Sequence, residues 1–447
     1  MHQFLRSTYI FIKNYLNTFI PFLVRHKMFN LLSLLLIFNL SRIKKILPKN
    51  KSKYKVIVLS KSAGIDDLEE SQKKYNKKIL YFHCPRVFFK NIFWEIFRGI
   101  TKVPGDLNYE TKNKKIIKLK IQYRLFLVNL LLSLKQKLNI DAFIGFNFNY
   151  FAERELHSAC TKLKIPFIIL FKESILTELE KKFKIYAYKK KNQKYYGYKI
   201  AVYSNLAKKF LVDSNIINKN NIEVVGCSRL TIAYSYQKIS PKNQIMYYAI
   251  ESNRGLPNNL IKSHSKVFFK NLKGYKKYDK TFNWNKLNIK TIKILKRFAI
   301  DNPKIPIIIK KKIGDNSNNQ ILRNLPKNIK IYDKTTGHKF LKNSKIIIAW
   351  NTTAILEAIA ANRFILLPNY YNKKKNLESA VLKLKLKEEN YGLSEKDFIK
   401  KLRLFINKKY NKDKINNNRK SLKYYLGNEK NDARLRLNNF IINNMKI

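Results

Sequence analysis

The sequence lacks several patterns that would assign a chemistry at once. Its three cysteines, Cys84, Cys160 and Cys227, lie far apart and form neither a disulfide framework nor a zinc-binding motif, which favours a reducing compartment. It contains no Gly-x-Gly-x-x-Gly fingerprint, no phosphate-binding loop, no nucleophile elbow and no short internal repeat. These absences argue against a secreted disulfide scaffold, a dinucleotide-dependent dehydrogenase, a P-loop enzyme and a serine hydrolase.

Acidic residues are also scarce. The chain has 29 Asp and Glu against 92 Lys and Arg, a formal net charge of +63. Lys outnumbers Arg by roughly five to one, whereas nucleic-acid sites rely on the bidentate contacts of Arg. Because the lysines are spread from end to end, we expect no nucleic-acid partner, only a general attraction to anionic lipids and phosphorylated ligands.

The chain is long and apolar enough to bury large cores. It has 447 residues, of which 45% are hydrophobic and 13% aromatic, so wholesale disorder is excluded. At about 150 residues per domain, this length corresponds to two or three domains.

Residues 28–40 (MFNLLSLLLIFNL) form the most apolar segment, and basic residues flank it on both sides. The segment is shorter than the ~20 residues that a membrane-spanning helix needs, and no signal-peptide cleavage site follows it. We therefore expect a helix that lies on the inner face of the cell membrane, so that the protein is cytoplasmic and peripheral. A buried helix of the first domain remains the alternative.

From about residue 53, short apolar runs alternate with helical stretches of ten or more residues. Such runs predict parallel strands that are covered on both faces, at 56–59, 79–82, 141–146, 167–171, 244–250, 306–309, 345–350 and 364–367. The predicted fold class is α/β, with two Rossmann-like parallel-sheet domains that face a central cleft. We predict an N-terminal membrane-associating segment at 1–50 and a first Rossmann-like domain, for the acceptor, at 51–228. A second Rossmann-like domain, for the nucleotide sugar, follows at 229–400, and a helical tail at 401–447.

The segment 345–368 (KIIIAWNTTAILEAIAANRFILLP) carries the strongest functional signal. A buried strand ends at its tryptophan, and Asn351, Thr352 and Thr353 form a turn that leads directly into a helix. Free N–H groups and hydroxyls at a helix start suit a diphosphate, and Glu357, on the same face as Thr353, suits a ribose diol. The alternative is that Thr353 caps the helix and Glu357 is a solvated acid of its first turn.

This segment resembles the nucleotide-binding element of GT-B glycosyltransferases that build bacterial capsules and surface polysaccharides. Residues 222–230 (IEVVGCSRL) resemble the hinge of the same enzymes, with Ser228 where proline is usual, and residues 146–174 resemble their acceptor side. The resemblance covers residues from about 140 to 370. It implies transfer of a sugar from a nucleotide-sugar donor to a surface-polysaccharide or lipid-linked glycan acceptor. The donor would bind in 229–400 and the acceptor in 51–228.

The resemblance also gives roles to cationic residues of the second half. Lys310 and Lys312 follow a buried strand on one side, where a cation stabilises the diphosphate as it leaves. His338 and Arg229 are further candidates for contacts with the nucleotide and its phosphates. For each of these lysines, and for His338, a plain solvated loop residue is the alternative. No Asp-x-Asp pair occurs, which favours a metal-independent mechanism without a cofactor.

A base near the acceptor hydroxyl is needed if the transfer inverts the sugar. Glu173 follows the run 167–171 and is the first candidate, His83 follows the run 79–82 and is the second, and Glu153 is the third. All three fall near predicted carboxyl ends of strands. The alternative for Glu173 is a surface salt bridge with a neighbouring lysine.

The sequence therefore predicts a GT-B-type glycosyltransferase with a nucleotide-sugar donor, a glycan or lipid-linked acceptor and an anionic membrane surface as partners. A nucleotide-sugar epimerase or a glycerophosphate transferase of the same fold is the alternative among enzymes. A non-catalytic, Lys-rich protein that binds anionic polymers is the alternative from another class.

Overall fold

The structure is a computed structural model, and it describes most but not all of the chain. The described residues are 15–48, 51–59, 62–76, 78–101, 106, 109–173, 175–250, 284–312, 320–333, 337–350, 352–370, 382–384, 386–410, 419–427 and 433–445.

The chain divides into two compact units, and each contains one sheet. Unit 1 consists of residues 1–174, 184–228 and 432–447, and unit 2 consists of residues 175–183 and 229–431.

The strands of the described residues form a seven-stranded and a six-stranded sheet. Those of the first sheet are β1 (Ser41–Arg42), β2 (Tyr54–Leu59), β3 (Ile79–Cys84), β4 (Ala142–Gly145), β5 (Phe167–Phe171), β6 (Lys199–Val202) and β7 (Ile222–Val224). Those of the second are β8 (Lys242–Tyr248), β9 (Ile307–Lys310), β10 (Ile329–Tyr332), β11 (Ser344–Ile348), β12 (Phe364–Pro368) and β13 (Tyr391–Gly392).

The α-helices connect and cover these strands. Their bounds are α1 (Ile20–Arg25), α2 (Phe29–Asn39), α3 (Ser62–Tyr75), α4 (Val87–Ile96), α5 (Lys114–Leu138), α6 (Phe151–Lys162), α7 (Glu178–Lys190), α8 (Asn205–Asp213), α9 (Leu230–Ser235), α10 (Trp284–Asp301), α11 (His338–Leu341), α12 (Ala354–Ala360), α13 (Glu395–Asn407), α14 (Arg419–Leu426) and α15 (Ala433–Asn443).

The sheet of unit 1 has the strand order β1-β3-β2-β4-β5-β6-β7. All its neighbouring strands are parallel except β1, which pairs antiparallel with β3. The central strands are buried because their residues are almost entirely apolar, as in FIILF of β5. The strand order reverses between β2 and β4, and ligands of open α/β sheets bind at the carboxyl ends of strands at such a switch point.

The sheet of unit 2 is parallel throughout, in the order β10-β9-β8-β11-β12-β13. Its first strand in the chain, β8, lies between β9 and β11, so the switch point of this sheet lies between β8 and β11. The predicted fold class, two α/β domains with Rossmann-like parallel sheets, is confirmed for each unit by itself.

The apolar segment 28–40 forms α2, and this helix packs within unit 1 rather than standing apart. Leu32, Leu35 and Leu36 are buried, and Ser33 Oγ lies 2.9 Å from Ser133 Oγ of α5. Among the described residues, no helix combines the length and the apolar character that crossing a membrane requires.

The C-terminal helix α15 also belongs to unit 1. Leu437, Phe440 and Ile441 join the apolar core beneath the sheet, and Ser71 of α3 donates a hydrogen bond to the Arg434 carbonyl at 2.7 Å. The last helix of the chain therefore completes the core that the first strands begin.

In unit 2, Arg363 is a buried cation in the turn after α12, and it forms hydrogen bonds with three other segments of the unit. Its guanidinium donates to the carbonyls of Leu341 at 2.9 Å and Tyr236 at 3.1 Å and to the Tyr410 hydroxyl at 2.9 Å. Its side chain is among the largest that are fully buried.

We expect the substitution Arg363→Lys to destabilise the protein by about 3 kcal/mol, because lysine cannot reproduce the planar set of donors and leaves buried carbonyls unpaired. The midpoint of urea unfolding measures this effect. The exposed Arg403 gives the control Arg403→Lys, which should leave the midpoint unchanged. Equal midpoints for both variants would contradict this role of Arg363.

Candidate functional site

The carboxyl edge of the unit 2 sheet brings several predicted residues to its switch point. β8 ends at Tyr248, and its neighbour β11 ends at Ile348, which stands opposite Tyr247 in the register. The chain then continues through Trp350 into the start of α12. The ends of β8 and β11 and the first turn of α12 therefore meet where this fold class binds ligands.

Glu357 and Arg229 form an ion pair beside this edge. Glu357 lies in the first turn of α12 and Arg229 is the N-cap residue of α9, and Arg229 Nε lies 3.4 Å from Glu357 Oε1. The two side chains are only 14% and 18% exposed. Glu357, predicted to bind the ribose, and Arg229, predicted to bind the phosphates, are thus neighbours in the fold, although they are 128 positions apart in the sequence.

Tyr248 contributes a buried hydroxyl to the same place. Its Oη is buried and has no hydrogen-bond partner within the part of the chain that the structure describes. Burial raises the pKa of Tyr248 well above its usual value, and the negative charge of Glu357 raises it further. Gly337 lies directly against this ring, since a Cβ atom there would stand 2.6 Å from Tyr248 Oη. A neutral phenol without a protein partner at a switch point can donate a hydrogen bond to a ligand oxygen.

The turn before α12 is placed at this edge, although Asn351 lies outside the described residues. Thr353 is the N-cap residue of α12, yet its side chain makes no capping hydrogen bond. Thr352 Oγ1 accepts only a long bond of 3.5 Å from the Ala354 amide. The alternative prediction, in which the Thr353 hydroxyl caps the helix, is therefore wrong.

The other predicted cations of unit 2 differ in their placement. Lys310, at the end of β9, donates to the carbonyls of Asp333, at 2.9 Å, and Lys311, and burial lowers its pKa. Lys312 is exposed beyond the strand. His338 begins α11 directly after Gly337, and it is therefore close in the chain to the Tyr248 ring.

Unit 1 has its own group of charged residues at the carboxyl edge of its sheet. Glu153, in the first turn of α6, accepts a hydrogen bond from Arg86 Nε, and the Arg86 guanidinium lies 3.5 Å from the centre of the Tyr150 ring. The Glu153 side chain is 2% exposed, and its second oxygen, Oε2, is buried without a hydrogen-bond partner.

Two further acids belong to this group. Asp106 Oδ1 accepts the Phe151 amide at 2.9 Å, at the first residue of α6. Burial raises the pKa of Asp106, the Phe151 amide lowers it, and the negative charge of Glu173, in the turn after β5, raises it. The charge of Glu173 also raises the pKa of the buried Tyr188, after the larger effect of burial.

Burial raises the pKa of Glu153 to about 7, although Arg86 and Lys90 act in the opposite direction and Asp106 adds to the increase. A carboxyl group with this pKa can accept or donate a proton near neutral pH. His83, the second predicted catalytic residue, lies within β3, opposite Ser41 of β1 and Val58 of β2.

Sequence reasoning missed four residues of the two groups: Arg86, Asp106, Tyr248 and Gly337. Tyr248 could have been found, because it lies near the carboxyl end of the strand predicted at 244–250, at the edge where ligands bind. Asp106 and Arg86 lie in connections with no periodic pattern, so no signal in the sequence points to them. Within the part of the chain that the structure describes, no three His, Cys, Asp or Glu side chains are grouped as metal ligands.

Sequence comparison finds no known protein family and no curated protein that matches the chain. Solved structures with a similar fold include the UDP-GlcNAc 2-epimerase of Methanocaldococcus jannaschii in complex with UDP-GlcNAc and UDP. It is 14% identical with a TM-score of 0.42, and the match covers 87% of this chain and 99% of that one.

Two further solved structures with a similar fold are another UDP-GlcNAc 2-epimerase and MurG. The UDP-GlcNAc 2-epimerase of Neisseria meningitidis bound to UDP-GlcNAc is 12% identical with a TM-score of 0.44, and coverage is 88% and 99%. MurG of Acinetobacter baumannii is 10% identical with a TM-score of 0.35, and coverage is again 88% and 99%. Since all three TM-scores are below 0.5, function has to be argued from the residues of this chain.

The substitution Glu153→Gln should change how stability depends on pH. The folded-state pKa of Glu153, about 7, exceeds its usual value of 4.5, so the folded protein binds more protons than the unfolded protein between these values. The contribution of Glu153 to stability is therefore present below pH 4.5 and is lost as the pH rises through 7. From pH 5 to pH 8, the wild type should lose about 3 kcal/mol relative to the variant.

Melting temperatures at pH 5 and pH 8 measure this difference. The exposed Glu223 of unit 1 provides the control Glu223→Gln, which should follow the wild type at both pH values. The assignment would be wrong if Glu153→Gln also followed the wild type.

Proposed function

We propose that the protein is a metal-independent glycosyltransferase that moves a sugar from a nucleotide-sugar donor to a surface-polysaccharide or lipid-linked glycan acceptor. Unit 2 binds the donor through residues of 229–400. Unit 1 binds the acceptor through residues of 51–228.

The observation that carries this proposal is the group at the switch point of unit 2. Glu357 offers a carboxylate to the two ribose hydroxyls, and Arg229, whose Nε lies 3.4 Å from Glu357 Oε1, offers a cation to the diphosphate. Tyr248 adds a hydroxyl donor that has no protein partner. The hydroxyls of Thr352 and Thr353 lie at the same edge and make no strong hydrogen bond to the start of α12.

The chemistry of transfer needs a stabilised leaving group and a base. The diphosphate gains negative charge as the glycosidic bond breaks, so a fixed cation such as Arg229 lowers the barrier without a metal ion. Lys310, Lys312, His338 and Asn351 remain predicted contacts of the nucleotide sugar. Glu173 and His83 remain predicted catalytic residues of unit 1, and the acidic group that includes Glu173 supports a proton transfer there.

A nucleotide-sugar epimerase is the second candidate, and the coupled acids of unit 1 favour it. Burial raises the pKa of both Glu153 and Asp106, and the negative charge of Asp106 raises the pKa of Glu153 further. Two such carboxyl groups can remove and return a proton on a sugar without any acceptor. A product analysis by NMR of a nucleotide sugar incubated alone separates the two candidates, because only an epimerase changes it into an isomer.

Attachment to an anionic membrane surface is part of the proposal. Leu31, Leu34 and Phe38 project from α2 on one side and are 47%, 50% and 37% exposed. Leu31 and Leu132 of α5 line an open groove of about 490 Å³ together with Lys27. Exposed apolar side chains beside basic residues favour a surface that combines acyl chains with anionic headgroups.

The nucleotide site is tested by melting temperatures with UDP, GDP, dTDP and CDP in the absence of metal. One nucleotide should stabilise the wild type, by about 2.7 kcal/mol at 100 times its Kd. Glu357→Ala should weaken its binding by at least about tenfold, because two hydrogen bonds to a charged group are lost.

Glu395 of α13 gives a matched control, since it is also an acid in the first turn of a unit 2 helix and pairs with Arg297 at the surface. Glu395→Ala should bind the nucleotide as the wild type does. Equal affinity of the Glu357→Ala protein would show that the assigned donor site is wrong.

The membrane surface is tested with vesicles of phosphatidylglycerol. The double variant Leu31→Ser/Leu34→Ser should bind them at least about tenfold more weakly, because two apolar side chains no longer enter the lipid. Leu393→Ser/Leu404→Ser is the control, since these leucines of unit 2 are equally exposed, at 44% and 51%. Sedimentation with the vesicles measures the binding, and equal loss in both variants would contradict the role of α2.

A further inference from the structure

The acidic group of unit 1 lies at the switch point of its own sheet. The strand order reverses between β2 and β4, and α6 begins after the polar turn that follows β4. Glu153 stands in the first turn of that helix, and Asp106 accepts the amide of its first residue at 2.9 Å. The group therefore occupies the position in unit 1 that corresponds to the donor site in unit 2.

Glu153 is held by a hydrogen bond at one carboxylate oxygen and has no hydrogen-bond partner among the described residues at the other. Arg86 donates to Oε1, and Arg86 is itself fixed by its stacking on the Tyr150 ring. Oε2 is buried and has no partner among the described residues, and the same is true of Asn149 Oδ1 in the preceding turn. Buried polar atoms in folded proteins almost always have a partner, so a ligand with hydroxyl donors could satisfy these two acceptors at one switch point.

Charged and titratable groups face Glu153 from each neighbouring element. Arg86 lies before α4 and Lys90 within it, and both favour the ionised carboxylate. Asp106 lies before α5 and disfavours it. Tyr123 of α5 donates to the Ala152 carbonyl at 2.8 Å, and burial together with the charges of Glu155 and Glu153 raises the pKa of Tyr123, so it stays protonated.

We propose that Glu153 is the catalytic base of unit 1 and that its Oε2 binds the hydroxyl group of a carbohydrate acceptor. This inference rests on the proposed glycosyltransferase function. The acceptor oxygen forms a bond to the anomeric carbon while its proton passes to Oε2. The bond from the anomeric carbon to the diphosphate breaks, and its electron pair leaves with the nucleoside diphosphate. The proton then passes from Glu153 to water.

Glu153 fits this role better than Glu173, the residue that the sequence ranked first. Glu153 is buried, is oriented by Arg86 and retains an unpartnered oxygen. Glu173 lies half-buried in the turn after β5, and its charge acts on Asp106.

The test follows nucleoside diphosphate release from a mixture of UDP-GlcNAc, UDP-glucose, GDP-mannose and dTDP-glucose, with octyl glucoside as the hydroxyl acceptor, between pH 5 and pH 9. For the full-length wild type, the rate should rise with pH and level off above about pH 7. Glu153→Gln should lower kcat on the plateau above pH 7 by about 100-fold or more, the usual size of general base catalysis, and should abolish the rise of the rate between pH 5 and pH 7. Nucleotide binding, measured in parallel by melting temperature, should be unchanged.

Two neighbouring variants keep the inference falsifiable if Glu153→Gln fails to fold. Asp106→Asn removes a negative charge and should move the midpoint of the pH profile to lower pH, and Arg86→Gln removes a positive charge and should move it to higher pH. Glu223→Gln, which changes an exposed acid of unit 1, should keep the rate of the wild type.

Each contrary outcome has a distinct meaning. A Glu153→Gln protein with a near-normal rate, or midpoints that do not move in either variant, would overturn the role of Glu153 while nucleotide binding persists. A wild type that binds no nucleotide would overturn the proposed function, and the inference about Glu153 would fall with it.

Discussion

The structure of each unit depends on one constraint, the burial of a parallel sheet on both faces. Apolar strands such as β5 and β11 can be buried in this way only if the chain returns over a face of the sheet after each strand. All connections then leave from the carboxyl ends of the strands, so polar side chains of these turns collect at one edge of the sheet. The Glu357 group of unit 2 and the Glu153 group of unit 1 both lie at this edge, beside the point where the strand order reverses.

Acidic residues are rare in this chain, which has a formal net charge of +63, so the position of each one is informative. An exposed acid in such a chain is readily neutralised by the surrounding lysines and contributes little to stability. Two acids of these groups lie beside arginines: Glu153 is buried against Arg86, and Glu357 is 18% exposed beside Arg229. Removing two opposite charges from water is costly, so neither ion pair is by itself evidence of stabilisation.

Periodicity in the sequence predicted the fold well and the pairings within the sites poorly. Apolar runs located β2, β5 and β11, and the long helical stretch from residue 116 to 138 became α5 (Lys114–Leu138). The two-residue strands β1 and β13 were missed, since two residues carry no period. The contact of Arg229 with Glu357 and the burial of Glu153 arise from tertiary packing between distant segments. The sequence could therefore identify these residues as candidates but could not predict which of them are in contact.

The central claim is that unit 2 binds a nucleotide at the carboxyl edge of its sheet. A crystal structure of the protein with the nucleoside diphosphate that stabilises it most would test this claim directly. We expect the ribose hydroxyls to lie within hydrogen-bond distance of the Glu357 carboxylate and the diphosphate to lie beside Arg229 and the Tyr248 hydroxyl. A nucleotide bound to surface lysines away from the ends of β8 and β11 would contradict it.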